Sequence, residues 1–154
     1  MKIFYSIDRE GVKIDLTSIK DHPINSFTRS DILDGIGFAE IAIVFHYWNQ
    51  EVVVVEDSLL SFFYNFIGAL VKLKNRTHTK LYTFSSEQGF KMELIANGNN
   101  VEIHIFDKIF IIDVSLLLQE ALRVAKYAFE DMEIIYSGLE KNEYFNQIKK
   151  DLFS

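Results

Sequence analysis

The feature that most constrains the fold is an alternating apolar run over residues 90–112, interrupted by two turn sequences. Asn97-Gly98 is the stronger signal, because a two-residue type I′ hairpin turn needs positive φ at both central positions. With Asp107-Lys108 as the second turn, eight apolar residues share one face of three strands: Phe90, Met92, Leu94, Val101, Ile103, Ile105, Phe110 and Ile112. A slip of one residue would turn a whole strand over, so two turns that agree on one face predict an antiparallel meander.

The start of the chain carries a second alternating pattern. Ile3, Tyr5 and Ile7 alternate with polar residues, and so do Val12, Ile14 and Leu16. Residues 8–11 between them are typical of a turn, so the pattern predicts a first hairpin. Residues 17–35 follow as a long irregular segment that holds the only proline, Pro23. A connection of this length is either functional or ordered by a short turn of helix.

Residues 38–56 predict a second hairpin. Its strands, 38–48 and 51–56, are joined by Asn49-Gln50, which places Trp48 opposite Glu51 and His46 opposite Val53. One face then carries Ala39, Ile41, Ile43, Phe45 and Tyr47, and the other carries Ala42, Val44, Val53 and Val55. A sheet that is apolar on both faces is either covered twice or binds a partner. The second face is therefore interpreted either as covered by a helix of this chain or as a binding patch anchored by Trp48.

Amphipathic periodicity predicts three helices. The clearest runs from an N-cap at Asp57 or Ser58 to about Lys74, and the next from Asp113 or Ser115 to about Glu130. A shorter and weaker pattern covers about 141–152. The 154 residues fit one domain. The predicted fold class is α+β: a mainly antiparallel sheet of hairpins and meander, two long amphipathic helices packed on one face, and a short C-terminal helix.

Composition excludes several functional classes. The chain has no cysteine, which excludes disulfides, thiolate zinc sites and thiol nucleophiles. Its net charge of −6 comes without any basic patch interleaved with aromatic residues, so no nucleic-acid partner is expected. Charges follow too soon after Met1 for a signal peptide, and the apolar stretch 59–73 is interrupted by polar residues, so neither export nor a membrane partner is expected. The predicted location is the bacterial cytoplasm.

No catalytic, cofactor or metal site is predicted. None of the four histidines has the spacing of a metal-binding pair. Gly35-Ile36-Gly37 lacks the Lys-Ser/Thr ending of a phosphate loop. Carboxylates occur in two clusters, Asp31 with Asp34, and residues 130–133 placed after the second long helix; both are interpreted as solvated acids. His104 is expected on a solvated strand face beside Glu102, across from Lys91 and Ile111.

The order of elements over residues 36–130 resembles a known family. Two hairpins lead into Glu56-Asp57-Ser58-Leu59-Leu60 and an aromatic helix, and a meander leads into Ile112-Asp113-Val114-Ser115-Leu116-Leu117 and a second helix. This layout resembles the small bacterial immunity proteins of polymorphic and contact-dependent toxin systems, the WapI-like group in particular. The resemblance implies a cytoplasmic protein that binds and neutralises one cognate toxin domain. It carries over no catalytic residue, because the family shares none.

Three functions remain open on these observations. The first is an immunity-type inhibitor that occludes a basic toxin domain, through residues 17–35 or the outer face of the second hairpin. The partner-binding residues expected for it are Asp21, Asp31, Asp34, Glu40, His46, Trp48 and Glu51. The second is a structural subunit or scaffold that self-associates, for which a homodimer is possible. The third is an enzyme or small-ligand binder that uses the space between helix and sheet.

Overall fold

In the part of the chain that the structure describes, seven strands form two separate antiparallel sheets. A computed structural model describes residues 1–8, 23–45, 51–84 and 91–154 of the chain, with the backbone alone for residues 51, 52 and 82–84. Sheet A has the strand order β1-β2-β3, and sheet B has the order β4-β5-β6-β7. The strands are β1 (Lys2–Ile7), β2 (Phe38–Phe45), β3 (Glu51–Ser58), β4 (Lys80–Phe84), β5 (Lys91–Asn97), β6 (Asn100–Ile105) and β7 (Lys108–Asp113).

The described residues also form four α-helices, of which two are long. They are α1 (Arg29–Asp34), α2 (Leu59–Lys74), α3 (Val114–Ile135) and α4 (Glu143–Phe153). Single 3-10 turns precede α1 and α4, at Ile24–Ser26 and Leu139–Lys141. Within the described ranges, no helix is both long and apolar enough to cross a membrane. The architecture confirms the predicted α+β class.

The core lies between the two long helices and the inner faces of both sheets. Helix α2 packs against α3 and contacts β2, β3, β4 and β5, while α3 contacts β1 and β7. The aromatic side of α2 is buried as its periodicity predicts, with the Phe62 and Phe66 rings stacked at 5.3 Å between centroids. Phe45 of sheet A stacks on Phe110 of sheet B at 3.8 Å, which joins the two sheets at their inner faces.

The meander forms with its predicted inner face but with shifted turns. The central residues of the first turn are Gly98 and Asn99, one position later than predicted, and those of the second are Phe106 and Asp107, one position earlier. Each shift moves the pairing by two residues, which preserves the facing of every side chain. Met92, Leu94, Val101, Ile103 and Ile105 are therefore buried as predicted. Phe90 lies outside the described residues.

The predicted register of the second hairpin is wrong by three residues. Ile43, rather than His46, is opposite Val53, and Phe45, rather than Trp48, is opposite Glu51. An odd slip turns the returning strand over, so Val53 and Val55 lie on the inner face, 7% and 2% exposed. Val54 points outward in their place.

The predicted first hairpin is tested on one strand only. β1 forms as expected, and it pairs with β2, with Tyr5 opposite Ile41. The expected return strand, residues 12–16, lies outside the described residues. Of the long segment 17–35, the part from Pro23 onward contains a 3-10 turn and α1.

Helix α3 extends five residues beyond its predicted end at Glu130. The acids expected after the helix therefore lie within it, and two of them are half-buried rather than solvated. Asp131 accepts a hydrogen bond from the Tyr5 hydroxyl at 2.5 Å, and Glu133 accepts one from Lys149 Nζ at 2.6 Å. Burial, followed by the bond to Asp131, raises the pKa of Tyr5, which keeps its hydroxyl protonated as a donor. The hydrogen bonds of Asp131 and Glu133 thus connect β1 and α4 to α3.

Two buried polar groups fix the segment that carries α1. Asn142 Nδ2 donates to the carbonyl oxygens of Ile24 and Phe27, both at 2.9 Å. The backbone N–H of Gly37 donates to the Tyr136 hydroxyl at 3.1 Å, in a buried position. Together these bonds hold both ends of residues 24–37 against the C-terminal part of the chain.

Candidate protein-binding face

The outer face of sheet A combines an apolar row with an acidic row. Because side chains alternate along each strand, the even-numbered residues within 4–6, 40–42 and 54–56 share the face that points away from the helices. The register places Phe4, Ala42 and Val54 side by side across the three strands. The next outward row, Ser6, Glu40 and Glu56, carries two carboxylates. Two residues along a strand span about 7 Å, so the rows are neighbours.

The apolar row is open to solvent. Phe4 is 56% exposed and Val54 is 52% exposed, and Ala42 between them is half-buried. Single exposed apolar residues are ordinary on a protein surface, but a contiguous row with a polar border is typical of a binding site. The face described here, from Phe4, Ala42 and Val54 to Glu40 and Glu56, is called the sheet A face below.

A pocket of about 400 Å³ lies at the acidic end of this face. Four carboxyl residues line it: Asp8, Glu40, Glu56 and Asp57. Asp57 is buried and accepts a hydrogen bond from the Ser58 N–H at 2.7 Å. Carboxylates carry negative charge and act only as hydrogen-bond acceptors, so this end of the sheet is acidic.

Helix α1 lies beside the same end of sheet A. Ser58 Oγ donates to the carbonyl oxygens of Leu33 and Ile36, the second at 3.0 Å, and so fixes the end of α1 to the start of α2. Both Asp31 and Asp34 of α1 are exposed. Asp31 also has a structural role, since its carboxylate accepts the Thr28 N–H at 2.8 Å and completes a capping box.

The structure brings together only part of the predicted binding set. Glu40 is exposed on the sheet A face, opposite Glu56. Asp31 and Asp34 stand on the adjoining helix. For Glu51 only the backbone is described, at the start of β3. Three further predicted residues, Asp21, His46 and Trp48, lie outside the described residues.

Three residues of this face were missed by the sequence prediction, Phe4, Val54 and Glu56, and so was Asp8 of the adjoining pocket. Phe4 and Asp8 were considered only as part of a local hairpin, and the pairing of β1 with β2, more than thirty positions away in the chain, was not predicted. Val54 was placed on the inner face by the three-residue register error. The alternation of β1 contained the signal, but its strand partner did not follow from local pattern.

The remaining polar groups do not form a comparable constellation. His104 is opposite Glu93 and Ile109, rather than the predicted Lys91 and Ile111, and its Nε2 lies 3.1 Å from Glu102 Oε2. Hydrogen bonds from His104 and then Asn97 hold the pKa of Glu102 below its ordinary value. In the described part of the chain, no group of three or more His, Asp or Glu side chains is arranged to hold a metal ion.

A second pocket, of about 640 Å³, lies between α2 and α4. Tyr64, Ile67, Val71 and Leu152 supply its apolar lining, and Lys72 and Asp151 its charges. It is the space that the small-ligand interpretation would use.

Comparison with protein-family models, curated proteins and solved structures found no significant match for this chain.

Proposed function

We propose that this chain is an immunity-type protein that binds a basic toxin domain through the sheet A face and blocks that domain by occlusion. The observation that carries the proposal is the apolar row of Phe4, Ala42 and Val54 directly beside the carboxylates of Glu40 and Glu56. The layout of elements over residues 36–130, which resembles the WapI-like immunity proteins, supports the same function.

The two rows have different physical roles in such a complex. Buried aromatic side chains contribute most of the affinity of a typical interface, so Phe4 is the expected anchor. Charges at the border act mainly on the association rate, because they steer an oppositely charged partner before contact. The net charge of −6 adds to this steering. Trp48 follows β2 by three positions and stays a predicted second anchor.

The partner can be identified by co-expressing a tagged chain with the neighbouring gene product, or by capture in the native host. Binding of the purified pair is then measured by surface plasmon resonance at low and high salt. Phe4→Ala combined with Val54→Ala should raise the dissociation rate roughly tenfold or more, since truncated central anchors cost at least 1–2 kcal/mol. Glu40→Gln combined with Glu56→Gln should slow association at low salt and have little effect at high salt.

Ile134→Ala supplies the matched control, because Ile134 is an apolar side chain 79% exposed on α3. It should leave both rate constants unchanged. Thermal unfolding of every variant separates lost binding from lost folding. Unchanged kinetics in both double variants would place the binding surface elsewhere on the molecule.

A further inference from the structure

The outer edge of β7 pairs with no other strand of the described residues. The Val114 N–H donates to the Asn99 carbonyl at 3.0 Å, and these residues are directly opposite each other in the β6–β7 register. In an antiparallel pair, hydrogen-bonded positions alternate, so even-numbered residues of β7 bond to β6. Ile109 and Ile111 therefore direct their N–H and C=O groups outward. Among the described residues, none accepts a hydrogen bond from these two N–H groups.

At the β1 edge of sheet A, one outward backbone group has an acceptor on a helix. The Asp8 N–H donates to the Phe38 carbonyl at 2.8 Å, so by the same alternation Ile3 directs its N–H away from β2. Glu120 of α3 accepts that N–H at 3.2 Å. The hydrogen bond from Arg123, followed by the bond from Ile3, holds the pKa of Glu120 below its ordinary value and keeps it an acceptor. A helix side chain thus accepts one outward N–H of β1, and within the described residues the outward N–H groups of Ile109 and Ile111 have no such acceptor.

The two residues whose backbone groups point outward from β7 also have apolar side chains. Ile109 is 58% exposed and Ile111 is 59% exposed on the outer face of sheet B. Charged residues stand only at the ends of the strand, at Lys108 and Asp113. Edge strands are usually protected by a central charge, a proline or a bulge, because an open apolar edge pairs with another strand.

We propose that β7 pairs antiparallel with β7 of a second copy of this chain, which makes the two B sheets continuous. Only odd-numbered residues offer outward hydrogen bonds, so the pairing must place odd residues opposite odd residues. Ile109 opposite Ile111 of the second copy joins four isoleucines on the outer face and makes four backbone hydrogen bonds. It also places Phe110 opposite Phe110 of the second copy on the inner face.

The neighbouring registers are less favourable. A shift of two residues in one direction places Ile109 opposite Asp113, whose carboxylate already caps α3 by accepting the N–H groups of Ser115 and Leu116 at 2.9 and 3.0 Å. A shift in the other direction places Ile111 opposite Asp107 in the turn. Both would bring an isoleucine against a charged side chain in place of another isoleucine.

This dimer does not rest on the proposed function, because its contacts lie on sheet B and the sheet A face takes no part in them. One strand pair buries less area than a standard interface, so the dimer should form reversibly with rising concentration. Sedimentation equilibrium should show a monomer–dimer transition for the wild type. Ile111→Lys places a charge in the middle of the edge and should abolish the transition, whereas Ile134→Lys should leave it unchanged.

Because the chain has no cysteine, single-cysteine variants can test the register directly. Hydrogen-bonded cross-strand residues have Cα atoms about 5.5 Å apart, which a disulfide can span. A mixture of Ile109→Cys and Ile111→Cys should give mainly the mixed disulfide under mild oxidation, and Ile134→Cys should give little dimer. A wild type that stays monomeric at every concentration would overturn the proposal. So would a dimer that cross-links without preferring the mixed disulfide.

Discussion

Asn142 is the side chain whose removal should be most costly for its size. It is buried and makes four hydrogen bonds. Nδ2 donates to the carbonyl oxygens of Ile24 and Phe27, and Oδ1 accepts the N–H groups of Tyr144 and Phe145 at 2.9 and 3.1 Å. One amide thus caps α4 and holds residues 24–27 against it, so Asn142→Ala should loosen both segments together.

The magnitude follows from these two roles. Loss of an N-cap costs about 1 kcal/mol. In Asn142→Ala, the carbonyl oxygens of Ile24 and Phe27 both lose the hydrogen bond from Asn142. The Ile24 carbonyl keeps a second hydrogen bond, from the Phe27 N–H at 3.2 Å. A buried acceptor left without its donor costs about 1–3 kcal/mol. The sum for Asn142→Ala is about 2–4 kcal/mol, which is large against the roughly 5–15 kcal/mol that stabilises a typical domain.

Urea unfolding followed by circular dichroism measures this free energy. Asn142→Ser keeps an N-cap oxygen and loses the two amide donors, so it should cost about 1 kcal/mol less than Asn142→Ala. Asn146→Ala is the matched control, because its Nδ2 donates to the Glu140 carbonyl at an exposed position. A loss for Asn142→Ala no larger than that of the control would refute the reasoning.

Three further substitutions test other elements of the fold by thermal or urea unfolding. Gly37→Ala should destabilise by about 2–4 kcal/mol, since Gly37 has φ +71° and an added Cβ would lie 2.5 Å from Met132 Cε; an unchanged midpoint would contradict that crowding. Arg76→Gly should stabilise by about 0.5–1 kcal/mol, because Arg76 follows α2 with φ +56°, whereas Lys74→Gly within the helix should destabilise. Phe66→Ala should cost about 3–5 kcal/mol, since Phe66 is fully buried in the core; a stable variant would show that the α2 face was misassigned.

Local sequence pattern was sufficient to predict most of the helices and strands, and to predict which side chains of the meander face the core. The period of 3.6 residues placed α2 correctly, and the N-cap at Asp113 fixed the start of α3. The turns of the meander were each misplaced by one position, yet the inner face survived. A two-residue change in pairing keeps the parity of a strand, so the burial pattern tolerates this kind of error.

The second hairpin shows why the sheet A face could not be predicted from local sequence pattern. β3 contains the run Val52-Val53-Val54-Val55, in which every position is apolar. Alternation therefore offered no preference for either face, and the face depended entirely on the assumed turn at Asn49-Gln50. The observed register, with Phe45 opposite Glu51, leaves residues 46–50 between the paired strands. The three-residue error therefore placed Val53 and Val55 on the outer face, where the structure has Val54.

A group of acids and a pair of lysines lie near opposite ends of α2. Acids occupy the side where the helix begins, with Glu56 and Asp57 at the end of β3 and Glu40 opposite Glu56. Lys72 and Lys74 lie in its last turn. The helix is about 24 Å long, and both groups of charges match the sign that its macrodipole favours. Dipole compensation accounts for charges within the first and last turn, but Glu40 stands on β2 and outside that range. The macrodipole of α2 therefore does not account for the carboxylate of Glu40, which the proposed function assigns to contact with a basic partner.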